Sequence, residues 1–400
     1  MSNVLFVNLP AEGHINPTVG LVRELIERGE KVTYYCAETF RERLMLTGAN
    51  VRTYRDFLSD MPVPNASSEK TQIGKMFEPL IKNSMLLVDK IIAETKEESY
   101  DYIVYDQMCI AGGIIGEILN IPKIASCTTF AYDTLLKTIF AETEHTPIKS
   151  SKAFTSVIED LERSYHIKLN HVKSILDLSY YPGDMTLIYT SRYYQPESNT
   201  YNDTFKFVGP SLVEHADQPD LPFEKLKARP VIFISMGTIV NEQAAFYQLC
   251  FEALKDVDAT VVLSVGKKMK IEDLYPAPEN FIIRNYVPQV QLLEHVDVFF
   301  THGGMNSSSE GLYHNIPLVV LPILGDQHLV AKRVVELGAG LTLNLESVTA
   351  DQIKNAAKRL LSDVTYKQNA TKIGDSFREA GGYKQAADEI FKFKSNVINN

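Results

Sequence analysis

Between His302 and Glu310 the sequence HGGMNSSSE packs small polar and charged side chains into one junction, and the apolar run after it ends in Asp326 and Gln327. A strand followed by a helix does not need that set. VDVFFT reads as the strand, and a helix is expected to start near Asn306 or Ser307. Gly303 and Gly304 permit a tight turn and a close backbone approach. The free N–H groups and dipole of such a helix end attract a phosphate, and His302 and Ser307 add donors. A capping box competes, because Ser307 and Glu310 stand at S-x-x-E spacing. Capping accounts for those two residues but not for His302, Gly303, Gly304 and Asn306 together. A second turn of phosphate-binding type, SMGT up to Thr238, directly follows the strand VIFI. Taken alone it is a weak signal.

Two other places carry groups able to do chemistry. In RNYVPQ, Tyr286 can stack on a base and the Val287 backbone can bond a base edge; the plain alternative is an edge turn ended by Pro288. In EGHINP, after the first strand, His14 is expected in a loop at the carboxyl end of the sheet. There a neutral imidazole can take a proton from a hydroxyl. A lone loop histidine is more often only surface. Asp106 ends the strand YIVYD, and a carboxylate behind the histidine would fix its tautomer; alternatively Asp106 caps a helix. Asp326 and His328 lack zinc-ligand spacing. No GxGxxG follows the first strand and no GxSxG is present, so neither a dinucleotide oxidoreductase nor a serine hydrolase is indicated.

The elements that must position these groups alternate. VLFVNLP, KVTYYCA, DYIVYDQ, KIASCTTF and DMTLIYTS read as strands separated by helical stretches. One helix is expected over NPTVGLVRELIERGE, with Pro17 in its first position. A polar stretch, VEHADQPDLPFEKLKA with its two prolines, marks a linker over 209–228. VIFIS, ATVVLSV, NFIIRNY, DVFFTH and PLVVLP then repeat the pattern, and the tail from Thr349 is helical by its apolar spacing. Alternation of this kind predicts parallel sheets covered by helices. With 400 residues, the chain exceeds the ~250–300 that one core sustains. The expectation is therefore two doubly wound α/β domains facing a central cleft, with the motifs at strand ends. A net charge of −10 argues against nucleic acid. Cys36, Cys109, Cys127 and Cys250 form no CxxC pair and read as reduced residues of a cytoplasmic protein. The amino-terminal apolar run is far shorter than the ~20 residues that span a bilayer, so no membrane insertion is expected.

YVPQ, then HGGMNSSSE, then PILGDQ, in that order and at those gaps, resemble the donor-binding signature of glycosyltransferase family 1, and GHINP resembles its catalytic loop. The resemblance covers the whole chain and is nearest to bacterial macrolide-type UDP-glycosyltransferases, including those of bacilli that glucosylate flavonoids. It implies a GT-B fold of two Rossmann-like domains: an acceptor domain over 1–208, a UDP-sugar domain over 229–381, and a helix over 382–400 returning to the first domain. It implies His14 as general base and Asp106 as its orienting carboxylate. It places Tyr286 and Val287 at the uracil, and Gln289 and Glu310 at the ribose. His302, Gly304, Asn306, Ser307 and Thr238 fall at the diphosphate, and Asp326 and Gln327 at the sugar hydroxyls. Thr128 or Thr129 falls near the transferred sugar. The implied reaction is inverting transfer of glucose from a UDP-sugar co-substrate to a small apolar or phenolic acceptor, by a monomer with no further cofactor and no metal. The chain contains no Trp, so Tyr286 and Met305 stand where plant relatives carry tryptophan. A UDP-sugar epimerase or hydrolase on the same fold, or a non-enzymatic nucleotide-sugar sensor, are the alternatives.

Overall fold

The structure is a computed structural model that describes residues 1–58, 73–131, 152–172, 177–178, 180–213, 221–237, 243–274 and 276–397. The chain divides into two units. The first comprises Met1–Tyr189, Glu197–Ser211 and Gly381–Asn400; the second comprises Thr190–Pro196 and Leu212–Ala380.

In the first unit the order is β1 (Asn3–Val7), α1 (Glu12–Glu27), β2 (Lys31–Ala37), α2 (Arg41–Met45), β3 (Asn50–Tyr54), α3 (Ile73–Glu94), β4 (Tyr102–Asp106), α4 (Ile110–Leu119), β5 (Lys123–Cys127), α5 (Lys152–Tyr165), β6 (Met185–Ile188) and β7 (Phe205–Phe207). The sheet runs β3-β2-β1-β4-β5-β6-β7, all parallel. The second unit holds β8 (Val231–Ser235), α6 (Ala244–Leu254), β9 (Thr260–Ser264), β10 (Phe281–Arg284), α7 (Gln289–Leu293), β11 (Val298–Thr301), α8 (Met305–Tyr313), β12 (Leu318–Val320), α9 (Gln327–Glu336), β13 (Gly340–Thr342), α10 (Ala350–Ser362) and α11 (Val364–Ala380). Its sheet runs β10-β9-β8-β11-β12-β13, again all parallel. Strands such as β4 and β8 are buried along their whole length, as near-continuous apolar runs covered on both faces must be.

Each sheet reverses its strand order once, between β1 and β4 and between β8 and β11. Crossovers depart in opposite directions there, leaving a crevice at the carboxyl ends. The loops after these four strands therefore hold the privileged positions of the fold.

The structure differs from the sequence reading in several places. Helix α1 begins at Glu12, so Pro17 lies inside it and His14 sits in its first turn rather than in a loop. Side-chain bonds support this turn: Asn8 Nδ2 donates to the His14 carbonyl at 3.0 Å and to the buried Tyr34 hydroxyl at 2.7 Å, and Thr18 lies 2.9 Å from the same hydroxyl. Strands β3, β7 and β13 were not anticipated. All three are short edge strands with few buried residues, so they lack the apolar run that marks a central strand. The helical tail breaks at Asp363 and again at Gly381. Residues 221–228, expected as linker, carry buried Leu221 and Leu226, with Phe223 against His295 at 5.5 Å, so this segment packs within the second unit. Thr190–Pro196, expected in the first domain, belongs to the second unit. Arg333 on α9 donates to the carbonyls of Tyr194 at 2.9 Å and Tyr193 at 2.8 Å.

The final helix α12 (Gly382–Val397) belongs to the first unit and packs on α1. Polar pairs fix its register: Arg28 with Asp388 at 2.5 Å, Lys206 with Glu389 at 3.2 Å, and Lys394 with Glu30 at 2.7 Å. Only the last is well shielded, with the Glu30 side chain 1% and Lys394 11% exposed. Removing one partner of such a pair strands a buried charge, at a typical cost of about 3–5 kcal/mol. Lys394→Met should therefore destabilise the first unit by roughly 3 kcal/mol in urea unfolding, and adding Glu30→Gln should recover most of that. If the double variant is no more stable than Lys394→Met, the buried pair does not set this stability.

Candidate active site

Two clusters form, one at each reversal of strand order. In the first unit, β1 leads through Asn8 into α1 and β4 ends on Asp106, the two strands pairing with Val7 opposite Tyr105. His14 Nδ1 lies 2.7 Å from Asp106 Oδ2, with the carboxylate side chain 1% and the imidazole 16% exposed. Asp106 Oδ1 accepts from the Met108 backbone N–H at 2.9 Å. The carboxylate thus braces its own turn with one oxygen and the histidine with the other; the cap of α4 falls instead on Cys109. A carboxylate on Nδ1 selects the tautomer that leaves Nε2 as the acceptor, the arrangement a general base requires. The Thr128 hydroxyl lies 3.2 Å from the same Nδ1. Thr129, the other threonine that the sequence places near the sugar, turns its hydroxyl to the Phe130 carbonyl at 3.1 Å. Of the two threonines it is Thr128 that reaches the histidine. Asn8 was missed, although a polar residue closing an apolar strand was a visible signal.

In the second unit, β8 and β11 pair with Ser235 opposite Thr301, so the turns after them start at one level. Helix α8 begins at Met305 with Gly304 as its N-cap, one residue ahead of the expected start, and places Asn306 and Ser307 in its first turn. No side chain caps it, so the Ser307–Glu310 capping box does not form. Glu310 Oε2 instead accepts from Gln289 Nε2 at 2.6 Å, and the same amide lies 3.4 Å from Ser307 Oγ. Burial pushes the Glu310 carboxyl up from 4.5 to about 7, against a smaller lowering by the Gln289 bond. Burial likewise pushes the His302 imidazole down to about 4, leaving it neutral at pH 7. Its Nδ1 is buried without a hydrogen-bond partner among the described residues.

Tyr286 is 37% exposed just before Val287 and Pro288, the N-cap of α7, with Lys267 Nζ 5.4 Å from its ring centroid. That contact was not anticipated. Asp326 is the N-cap residue of α9, yet its side chain makes no capping bond, so helix capping does not account for it. Gln327 departs from the sequence reading. Its Oε1 accepts from the backbone N–H groups of Ile323 at 2.8 Å and Leu324 at 3.1 Å, so the amide oxygen is already engaged and the nitrogen is the part left to bond a sugar hydroxyl. Thr238 lies outside the described residues. Among the described residues no His, Cys, Asp and Glu side chains group as a metal site would need, and no helix is long and apolar enough to cross a membrane.

The raised Glu310 pKa has a definite sign. The folded chain holds a proton that the unfolded chain has released, so this contribution to stability is complete below pH 4.5 and lost as pH rises through about 7. Glu310→Gln removes the dependence. From pH 5 to pH 8 its stability relative to wild type, by urea unfolding, should rise by about 2 kcal/mol after discounting for partial exposure. A flat difference across that range would show that Glu310 ionises freely.

The sequence of this chain matches the family model described as "UDP-glucoronosyl and UDP-glucosyl transferase" over residues 205–379. It is similar to the uncharacterized UDP-glucosyltransferase YojK of Bacillus subtilis (strain 168), 38% identical over 98% of this chain and 97% of that one. It is also similar to the NDP-glycosyltransferase YjiC of the same organism, 32% identical over 98% and 97%. Its structure resembles the crystal structure of CalG4, the calicheamicin glycosyltransferase, with a TM-score of 0.87 and 25% identity over 99% of both chains. Likeness that extends along the whole chain in sequence and in both Rossmann-like units places it in the family: the chain is a glycosyltransferase of family 1, of the macrolide type and with the GT-B fold.

Proposed function

We propose that this glycosyltransferase moves glucose from UDP-glucose to a hydroxyl of a small apolar or phenolic acceptor, such as a flavonoid or macrolide, with inversion at the anomeric carbon. The observation that carries this reading is the 2.7 Å bond between His14 and the buried Asp106. His14 takes the acceptor proton at Nε2, and Asp106 stabilises the imidazolium that forms. The oxygen attacks the anomeric carbon as the bond to the diphosphate breaks, so one displacement inverts the centre. Negative charge grows on the leaving UDP. The N–H groups at the start of α8, with His302, are the groups that would meet it, and on this reading no divalent metal is required. Tyr286 stacks on the base and Glu310 accepts from the ribose hydroxyls. Four free, buried cysteines are in keeping with work in a reducing cytoplasm.

His14→Ala should lower transfer to a weakly acidic alcohol by about 10²–10⁴-fold while UDP binding stays near wild type, and acceptors that ionise easily should suffer least. Wild-type rates should persist in excess EDTA. A His14→Ala protein that transfers at the wild-type rate would remove the base assignment. Turnover of UDP-glucose without acceptor would favour the epimerase or hydrolase, and no turnover with any phenol would favour a sensor.

The donor sugar follows from Asp326 and Gln327. A carboxylate can accept from two adjacent hydroxyls, and the Gln327 amide, its oxygen already held, can donate to a third oxygen. Glucose, with an equatorial 4-hydroxyl, suits this pair. The axial hydroxyl of galactose would leave a partner unmatched once the bound sugar covers it, at about 1–3 kcal/mol, or roughly ten- to a hundredfold in preference. In competition, wild type should choose UDP-glucose by that margin, and Asp326→Ala should lose the preference. A preference unchanged in Asp326→Ala and Gln327→Ala would mean that neither residue reads the sugar.

A further inference from the structure

We propose that Gly237 is a positioning residue for His302: with Gly304 it forms a backbone slot that sets where the imidazole points. This rests on the reading above, in which His302 meets the donor diphosphate. The two glycines come from different turns. Gly237 follows β8 and Gly304 follows β11, adjacent strands of the sheet. A Cβ built on Gly237 would lie 2.6 Å from His302 Cε1 and 2.7 Å from Nε2; one on Gly304 would lie 2.5 Å from Nε2 and 2.9 Å from Cε1. Real side chains essentially never approach so closely, so both turns close on the same edge of the ring only because neither residue has a Cβ.

The slot has a chemical consequence. Nδ1 is buried and without a partner among the described residues, so none of them holds the ring through a hydrogen bond on that nitrogen. Packing against the two glycine backbones takes that role. Gly237 stands at φ +81°, a left-handed conformation, whereas Gly304 at φ −59° has one that any residue adopts. A requirement for glycine at Gly304 therefore comes from the approach of the ring alone.

A double-mutant cycle separates this role from backbone strain, because strain costs the same whatever stands at the histidine position. UDP affinity by calorimetry and kcat/KM for the UDP-sugar would be measured for Gly237→Ala, His302→Ala and the double variant, with thermal midpoints for each. Gly237→Ala alone should lower kcat/KM by at least about 10-fold, up to the roughly 10²–10³-fold seen when one donor to a developing negative charge is lost outright. On the His302→Ala background the same change should cost less than about 3-fold. Should Gly237→Ala fail to fold, Gly304→Ala in the same cycle carries the test without a strained φ, and the same non-additivity is expected. Equal losses on both backgrounds would overturn the slot while leaving the diphosphate reading intact. If His302→Ala by itself changes neither UDP affinity nor kcat/KM, the diphosphate reading falls and the assignment of Gly237 falls with it.

Discussion

The reversal of strand order in each sheet is the constraint on which the rest depends. A parallel strand can be reached only by a crossover, and crossovers of one hand pack on one face or the other according to the direction in which the sheet grows. Growth in both directions from β1 and from β8 leaves one place per sheet where neighbouring loops diverge. Asn8, His14 and Asp106 gather at the first of these places, and Gly237, His302 and Gly304 at the second. Polar groups there escape being covered by a crossover helix, although the strands that deliver them are wholly buried.

Within each cluster, burial sets the chemistry. His302 and Glu310 are both driven toward their neutral forms, the imidazole downward and the carboxyl upward. A buried charge is costly unless a partner compensates it. A nucleotide bringing a diphosphate and ribose hydroxyls would supply such partners, so charge compensation would arrive with the ligand. Asp106 is different. It is more deeply buried, but it already has the Met108 N–H and His14 as partners, an arrangement complete before any ligand arrives.

The fold also invests in holding α1 in place. Asn8, Tyr34 and Thr18 bond the first turn from beneath, and α12 grips the far end through Arg28 and, just beyond it, Glu30. A side chain such as His14, on a helix braced at both ends, keeps its position better than one on a loop. The Pro17 that reads as a helix start in sequence lies inside the helix, next to a turn whose His14 carbonyl also accepts from the Asn8 side chain.

The sequence by itself determined the two series of buried strands, the α/β class and the family, because central parallel strands need continuous apolar runs and because HGGMNSSSE and GHINP keep their order and spacing. It also determined that Asp106 closes a strand and that His14 follows the first one, though not that His14 stands on a helix. Only the tertiary structure decided that Thr128 rather than Thr129 reaches His14, that Glu310 bonds Gln289 instead of capping its helix, that the Gln327 oxygen is already taken, and that Thr190–Pro196 belongs to the second unit. Each of these depends on which groups approach across large sequence separations or on the path of one loop, and local pattern carries no record of such approaches. The edge strands β3, β7 and β13 were illegible for a related reason: a strand half exposed at the rim of a sheet is specified by its neighbour's open hydrogen bonds and hardly at all by its own side chains.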